Sequence, residues 1–208
     1  DSLRQLSMHY EVSLIGGDTT RGSLNITITM FGIVENSKAL TRSGAQPGDG
    51  VYVSGTIGDV GFCFWKLSNG LIPSNQELLR LNRPTPRVEL GLELKNLASA
   101  CIDVSDSLEQ DLSHILKASS VGAIIEVEKI PIGGTLLSHI NDTNDWSIPL
   151  CGGDDYELCF TVPEINQEAL KKFSESCNVN ITRIGVVNES LGLQVKGYDA
   201  PRKSYQHF

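Results

Sequence analysis

The segment Ile102-Asp103-Val104-Ser105-Asp106-Ser107-Leu108 constrains the fold most, because it carries two carboxylates from a short apolar run into an amphipathic helix. The apolar residues of that helix recur at i, i+4, i+7 and i+8, as Leu108, Leu112, Ile115 and Leu116. One face of the helix can therefore pack on a sheet. Ser107 and Gln110 have capping-box spacing, which places the N–H groups of the first turn beside the carboxylates.

Asp103 and Asp106 are candidate magnesium ligands. Mg²⁺ normally takes one or two carboxylates together with phosphate oxygens and water, and a helix N-terminus favours phosphate. The pair therefore suits Mg²⁺ bridged to a nucleotide phosphate. The alternative is purely structural, because Asp and Ser are ordinary helix caps.

Composition excludes several classes of protein. The 208 residues carry a formal charge of -8 with a pI near 5.0, whereas general nucleic-acid binding needs a basic face. No apolar run approaches the roughly 18 residues of a membrane span, and no signal peptide is recognisable, so we expect a cytoplasmic protein. The five cysteines lack CxxC spacing, which favours reduced thiols over disulfides or zinc.

A glycine-rich turn, Gly16-Gly17-Asp18-Thr19-Thr20-Arg21-Gly22, separates two β-rich stretches at residues 11–15 and 24–34. We predict a hairpin with an unusual loop, since a hairpin that needs only a tight turn would use Asn-Gly or Asp-Gly. Gly17 lets the backbone approach a ligand, and Asp18 can hold a metal ion. A long solvated loop is the alternative.

Two later segments also carry candidate site residues. Residues 38–50 are rich in Gly, Pro and small polar residues, which predicts a domain junction. Arg42 lies there, and its guanidinium suits phosphate, although a surface salt bridge is the commoner fate of one arginine. Gly152-Gly153-Asp154-Asp155 forms a second acidic turn, which leads into an alternating strand that begins at Tyr156.

The remaining patterns predict an α+β fold. Ser74 and Glu77 form a capping box, Thr85 is the expected N-cap of a helix over 87–97, and residues 133–147 are expected to be a polar loop with His139 at the surface. The helix over 59–68 is expected to bury four side chains, namely Val60, Cys63, Phe64 and Leu67. The other expected elements are strands at 51–54, 100–104, 123–127, 181–187 and 191–195, and a helix at 167–177.

Five motifs, read together in order, resemble the thiamine-monophosphate kinase family. They are Gly16-Gly17-Asp18-Thr19-Thr20-Arg21-Gly22, Leu40-Thr41-Arg42-Ser43-Gly44-Ala45, Arg83-Pro84-Thr85-Pro86-Arg87, Ile102-Asp103-Val104-Ser105-Asp106 and Gly152-Gly153-Asp154-Asp155-Tyr156-Glu157-Leu158. That family belongs to the superfamily of aminoimidazole ribonucleotide synthetase and selenophosphate synthetase. The resemblance implies ATP-dependent phosphorylation of thiamine monophosphate to thiamine diphosphate, assisted by Mg²⁺.

The resemblance also implies roles for individual residues. The metal ligands would be Asp18, Asp103 and Asp106; the ATP contacts would be Gly17, Asp18, Arg42 and Ser105. Asp154 would contact the thiamine phosphate, in a position where the family has Glu, and no catalytic residue is implied beyond the metal cluster. The segment Lys203-Ser204-Tyr205-Gln206-His207-Phe208 matches the family's tail, but Arg202 stands where an aromatic residue is often found.

The implied fold is a PurM-like carboxy-terminal α/β domain with a mixed sheet and packed helices, over residues 38–208. Residues 1–37 would be a remnant of the amino-terminal ATP- and magnesium-binding domain, namely its last hairpin. We therefore expect a fragment that is inactive alone, from a homodimeric protein with no membrane or nucleic-acid partner. The alternatives are another ATP-dependent member of the superfamily and a catalytically silent binding or dimerisation module.

Overall fold

A computed structural model of the protein describes residues 2–36 and 38–199. The chain divides into two compact units, Asp1–Ile33 and Val34–Phe208, which are described separately below. The division falls near the junction predicted at residue 38. That the first part belongs to a different domain remains a prediction.

The first unit contains helix α1, Ser2–His9. The predicted hairpin is wrong for the described residues of this part, because residues 10–36 contain no strand. Its apolar side chains are exposed, with Leu24 at 93%, Ile26 at 79% and Ile28 at 62%. A two-stranded hairpin is marginal without further strands or a helix to cover its apolar face. The apolar side chains of this segment therefore lack a surface against which a strand could pack.

The second unit combines strands with helices. Its strands are β1 (Gly50–Ser54), β2 (Ala100–Asp103), β3 (Gly122–Glu126), β4 (Leu158–Val162), β5 (Ile181–Asn188) and β6 (Gly192–Lys196). Its α-helices are α2 (Asp59–Ser68), α3 (Asn75–Asn82), α4 (Val88–Leu97), α5 (Leu108–Ser119), α6 (Gly134–Thr143), α7 (Ser147–Cys151) and α8 (Gln167–Ser176). Short 3₁₀ turns occupy Val127–Lys129 and Glu164–Asn166.

The six strands form one mixed sheet in the order β2-β4-β1-β5-β3-β6. All neighbouring pairs are antiparallel except β3 and β6, which run parallel. The predicted mixed sheet is thus confirmed. Asp103, at the end of β2, lies opposite Leu158, at the start of β4, so these two strands bring the two acidic turns of the sequence to the same end of the sheet.

Helices cover both faces of the sheet. Alternate residues of β1 point to opposite sides, so Val51 and Val53 join one buried cluster while Tyr52 joins another. The larger cluster packs the sheet against α2, α5, α6 and α7, and the smaller one packs it against α4 and α8. The apolar face predicted for α5 is confirmed, since Leu108, Leu112, Ile115 and Leu116 are all buried.

Several local predictions can be compared directly with the structure. The Ser74–Glu77 capping box is present at the start of α3. The polar loop predicted at 133–147 is wrong, because α6 buries Leu136 and Ile140 at helical spacing. His139 is half-buried rather than exposed and lies 4.5 Å, centroid to centroid, from the ring of Trp65.

Two expectations about helix ends and faces are also wrong. Arg87, not Thr85, occupies the N-cap position of α4, and its side chain is used elsewhere, as described below. In α2 the buried residues are Val60, Phe62 and Cys63, whereas Phe64 and Leu67 are about half exposed. All five cysteines are free thiols, as predicted. Among the described helices, none combines the length and apolar character needed to cross a membrane.

Close strand packing makes a test of this fold possible. A Cβ at Gly185 in β5 would collide with the carbonyl oxygen of Ile124 in β3, whereas Gly91 in α4 has open space around it. We expect Gly185→Ala to lower the free energy of unfolding by about 1–3 kcal/mol or more, because backbone must move. Gly91→Ala should raise it by about 0.5–1 kcal/mol, since alanine favours helix. Urea denaturation of both variants checks this, and equal effects would contradict the predicted packing.

Candidate active site

The acidic loop, residues 103–107, begins with the last residue of β2 and connects that strand to α5. Ser107 is the N-cap of α5, and its hydroxyl oxygen accepts a hydrogen bond from the backbone N–H of Gln110 at 3.1 Å. The side chain of Gln110 does not complete a capping box. It donates instead to Oδ2 of Asp106 at 2.9 Å, and so helps to orient a predicted metal ligand.

Asp111 holds this loop from inside. Its Oδ2 accepts the backbone N–H groups of Ser105, Asp106 and Ser107 at 3.0, 3.0 and 3.1 Å, and the residue is 2% exposed. Burial raises the pKa of Asp111, the three backbone hydrogen bonds oppose that rise, and the nearby charge of Asp106 adds to it. The sequence analysis missed this residue. The available signal was an acid three residues after Leu108, on the apolar face of the helix.

Residues 154–157 flank the acidic loop on its other side. The backbone N–H of Asp154 donates to the carbonyl of Ser105 at 2.8 Å, and that of Tyr156 donates to the carbonyl of Val104 at 2.9 Å. The N–H of Val104 donates back to the carbonyl of Glu157 at 2.7 Å. The segment predicted to begin a strand at Tyr156 therefore pairs with a loop, and regular strand β4 begins only at Leu158.

This pairing requires unusual backbone. Asp154 and Tyr156 have left-handed conformations, with φ of 64° and 51°. Gly153 is needed for close approach, because a Cβ there would collide with the carbonyl oxygens of Ser105 and Asp106. Left-handed non-glycine residues cost energy and cluster at functional sites. Gly153 thus serves contact between two loops.

The pairing gathers predicted site residues around Tyr156. Its hydroxyl donates to Oδ1 of Asp154 at 3.1 Å. Burial raises the pKa of Tyr156, and the hydrogen bond to Asp154 and the negative charges of Asp154, Asp103 and Asp106 raise it further. The structure therefore brings Asp103, Asp106 and Asp154 together, with Ser105 in the same loop.

The other predicted residues belong to other parts of the chain. The carbonyl of Arg42 accepts a hydrogen bond at 3.5 Å from the hydroxyl of Ser119, at the end of α5 farthest from Asp106. Gly17 and Asp18 belong to the first unit, where Oδ1 of Asp18 accepts the N–H of Thr19 at 2.7 Å. Residues 202–208, with the predicted family tail, lie outside the described residues. The roles of these residues remain predictions.

Glu157 anchors the acidic site to two arginines. Its fully buried carboxylate accepts from Arg80 at 2.6 Å, from Arg87 at 2.7 and 2.5 Å, and from the hydroxyl of Ser54 at 2.5 Å. Burial acts to raise the pKa of Glu157, but the hydrogen bonds from Arg87 and Ser54 and the two arginine charges hold it below its ordinary value. The sequence analysis assigned no role to these residues, because the contact joins positions 70 or more apart.

The carboxylate of Asp155 binds the start of α2. Its buried carboxylate accepts the backbone N–H of Gly58 at 2.6 Å and that of Val60 at 3.3 Å, at the start of α2. Burial raises the pKa of Asp155 to about 7, against the effect of those hydrogen bonds, and the charge of Asp59 raises it further. The side chains of Asp155 and Glu157 therefore bind two different parts of the unit.

The oxygen donors of the acidic loop fit a hard divalent cation. Asp103 is exposed and Asp106 is half-buried, and their carboxylates are the kind of ligand that Mg²⁺ prefers. Neither side chain is needed to satisfy the loop backbone, since Asp111 accepts its N–H groups.

Comparison with known proteins identifies the family to which this chain is related. Residues 46–197 match the family described as AIR synthase related protein, C-terminal domain. Thiamine-monophosphate kinase of Salmonella typhimurium is 42% identical over 218 residues, which cover 100% of this chain and 67% of the relative. The chain belongs to the thiamine-monophosphate kinase family. It spans about two thirds of the length of the first curated relatives that it matches.

Solved structures of the thiamine-monophosphate kinase family share this fold. The enzyme from Stenotrophomonas maltophilia aligns with a TM-score of 0.75 and 39% identity, over 80% of this chain and 56% of that one. A structure described as AaThiL complexed with AMPPCP and TMP aligns with a TM-score of 0.66 and 31% identity, over 81% and 54%. The PurM-like carboxy-terminal fold expected from the sequence is confirmed.

The buried ion pairs of Glu157 with Arg80 and Arg87 predict that an amide at position 157 lowers the free energy of unfolding strongly. Glu157→Gln keeps the shape of the side chain but leaves two arginines without their shared charge. We expect a loss of about 3–5 kcal/mol in the free energy of unfolding, as for other broken buried ion pairs. Urea denaturation measures it, with the exposed Glu168→Gln as the matched control, expected within about 0.5 kcal/mol of the parent. An equally mild Glu157→Gln would contradict the assigned role.

Asp155 predicts a pH dependence of stability. Its folded pKa of about 7 lies above its ordinary value of 3.8, so the stability that it contributes is complete below about pH 4 and is lost as pH rises through 7. Asp155→Asn cannot ionise. The variant should therefore gain stability relative to the parent between pH 4 and 8, by on the order of 4 kcal/mol at 1.36 kcal/mol per pKa unit. Urea midpoints across this range check the sign, and a constant difference would contradict it.

Proposed function

We propose that the protein carrying this chain transfers the γ-phosphoryl group of ATP to the phosphate of thiamine monophosphate. The observation that carries the proposal is the gathering of Asp103, Asp106 and Asp154 at one paired loop, in a chain 42% identical to a thiamine-monophosphate kinase. A relative crystallised with AMPPCP and TMP supports the same pair of substrates.

The chemistry explains why the site is rich in carboxylates rather than in proton-transfer groups. The acceptor phosphate is already an anion at neutral pH, so a strong general base is unnecessary. The difficulty is to hold two polyanions in line, since two unit charges about 4 Å apart repel by about 4 kcal/mol at an effective dielectric constant near 20. Bound Mg²⁺ would supply the positive charge that offsets this repulsion.

Each candidate residue has a proposed role within that scheme. Asp103 and Asp106 of the acidic loop would hold Mg²⁺. Asp18 of the first unit is also proposed as a magnesium ligand. Ser105 would contact the nucleotide between the two loop carboxylates.

Three further positions complete the proposed site. Gly17 and Arg42 would also contact ATP. Asp154, oriented by the hydroxyl of Tyr156, would contact thiamine monophosphate, although its side chain is one methylene shorter than the Glu of the family. No further catalytic group is required. We also propose that the full-length protein is a cytoplasmic homodimer.

The metal assignment predicts a separation of activity from stability. In the full-length protein, Asp103→Asn and Asp106→Asn should each lower turnover by about 100-fold or more, as expected when a group stabilising transition-state charge is removed. Stability should barely change, because Asp103 is exposed, Asp106 is half-buried, and the N–H groups of the loop are accepted by Asp111. Turnover of thiamine monophosphate at varied Mg²⁺ and thermal unfolding measure the two effects, with the exposed Asp142→Asn as control.

The structural alternative makes the opposite prediction for turnover. If Asp103 and Asp106 only shape the start of α5, both Asn variants will keep the turnover and the Mg²⁺ dependence of the parent. That result would remove both residues from the metal site. A full-length parent that binds ATP but never phosphorylates thiamine monophosphate would instead favour the silent binding module.

A further inference from the structure

Backbone hydrogen bonds hold the acidic loop on two sides. Its carbonyl groups at Val104 and Ser105 accept from the N–H groups of Tyr156 and Asp154. Its N–H groups at residues 105–107 all converge on Oδ2 of Asp111, and the carbonyl of Ser107 accepts the N–H of Asp111 itself at 2.9 Å. One carboxylate therefore satisfies every N–H on one side of the loop.

From this geometry we infer that Asp111 is a positioning residue, which holds the backbone of residues 105–107 so that the carboxylates of Asp103 and Asp106 are presented for a divalent cation. The inference rests on the proposed function, because that function makes these two carboxylates the metal ligands. It adds a residue that neither touches the substrates nor belongs to the predicted site.

The position of Asp111 explains how one side chain reaches three donors. Side chains on an α-helix lean toward its N-terminus, so a residue in the first turn of α5 lies beneath the loop that precedes the helix. The carboxylate accepts on its oxygens only, and it forms charge-assisted hydrogen bonds, which are stronger than neutral ones. An amide in its place would offer a less charged oxygen to three N–H groups and would bring two donors of its own.

The burial of Asp111 favours a positioning role over direct binding of the metal ion. Asp111 is 2% exposed and its Oδ2 is occupied by three N–H groups, whereas Asp103 is exposed. One ligand atom each from Asp106, Asp111 and His114 nevertheless lie within 4.8 Å of one another. Direct ligation by Asp111 is therefore the competing role that an experiment must distinguish.

The test compares Asp111→Asn with Asp106→Asn in the full-length protein. Amide hydrogen exchange without metal reads how firmly residues 105–107 are held, and calorimetric titration with Mn²⁺ reads metal affinity. We expect Asp111→Asn to lose about tenfold or more protection at residues 105–107, because charged hydrogen bonds are weakened. It should also bind Mn²⁺ about 10–100-fold more weakly, as when other supporting residues of metal ligands are changed. Asp106→Asn should lose Mn²⁺ affinity and keep the protection.

Three outcomes would overturn the inference. If Asp111→Asn loses Mn²⁺ affinity with unchanged protection, Asp111 is itself a ligand. If it loses protection with unchanged affinity, it is only a structural cap. If the parent binds no Mn²⁺ at all, the metal site of the proposed function fails and this inference fails with it, a result recognisable because the parent alone shows it.

Two controls keep the test interpretable. Glu168→Gln, on the opposite face of the sheet, should match the parent in both measurements. Protection of the β3 amides reports whether each variant is folded. If Asp111→Asn unfolds, the same readings on Asp111→Glu decide the matter: it keeps the charge at a greater length, and we expect a smaller loss of protection accompanied by a smaller loss of affinity. A loss of either one without the other overturns the inference for this variant too.

Discussion

The pairing between the acidic loop and residues 154–157 is the interaction on which the rest of the site depends. Three backbone hydrogen bonds of 2.7–2.9 Å join two segments about fifty positions apart, at the end of the sheet where β2 finishes and β4 begins. Buried backbone groups need such partners, so the pairing fixes both segments at once. It places the negative charges of Asp103, Asp106 and Asp154 near one tyrosine.

The pairing also couples the site to the body of the fold. Asp155 accepts a hydrogen bond from a backbone N–H group at the start of α2. Glu157 accepts hydrogen bonds from Arg80 in α3 and from Arg87 at the start of α4. These contacts are buried, and an unpaired polar group is costly in such a place. Displacement of residues 154–157 would therefore leave several buried polar groups without partners at once. The site is therefore held by a continuous polar network, and the surface carboxylates contribute little to that support.

Local features of this fold were predictable from the sequence, and distant contacts were not. The apolar face of α5, the capping box of α3 and strand β1 follow from spacing within a few residues, and the structure confirms them. The hairpin at residues 11–34 was predicted from two β-rich stretches around a glycine-rich turn, and these features do not supply partner strands. Helix α6 was missed because its polar composition masked two buried positions at helical spacing.

The same distinction holds for the site. Asp103, Asp106 and Asp154 were identifiable because their motifs are contiguous, whereas the role of Glu157 arises only when separate segments meet. Asp111 contacts residues four to six positions earlier, so its role was within reach of the sequence but was missed.

The most direct test of the account is anomalous diffraction from crystals of the full-length protein grown with Mn²⁺ and a non-hydrolysable ATP analogue. The account predicts Mn²⁺ peaks within about 2.0–2.6 Å of carboxylate oxygens of both Asp103 and Asp106, bridging to the nucleotide phosphates. Mn²⁺ bound to the nucleotide phosphates but to neither of these residues would contradict it.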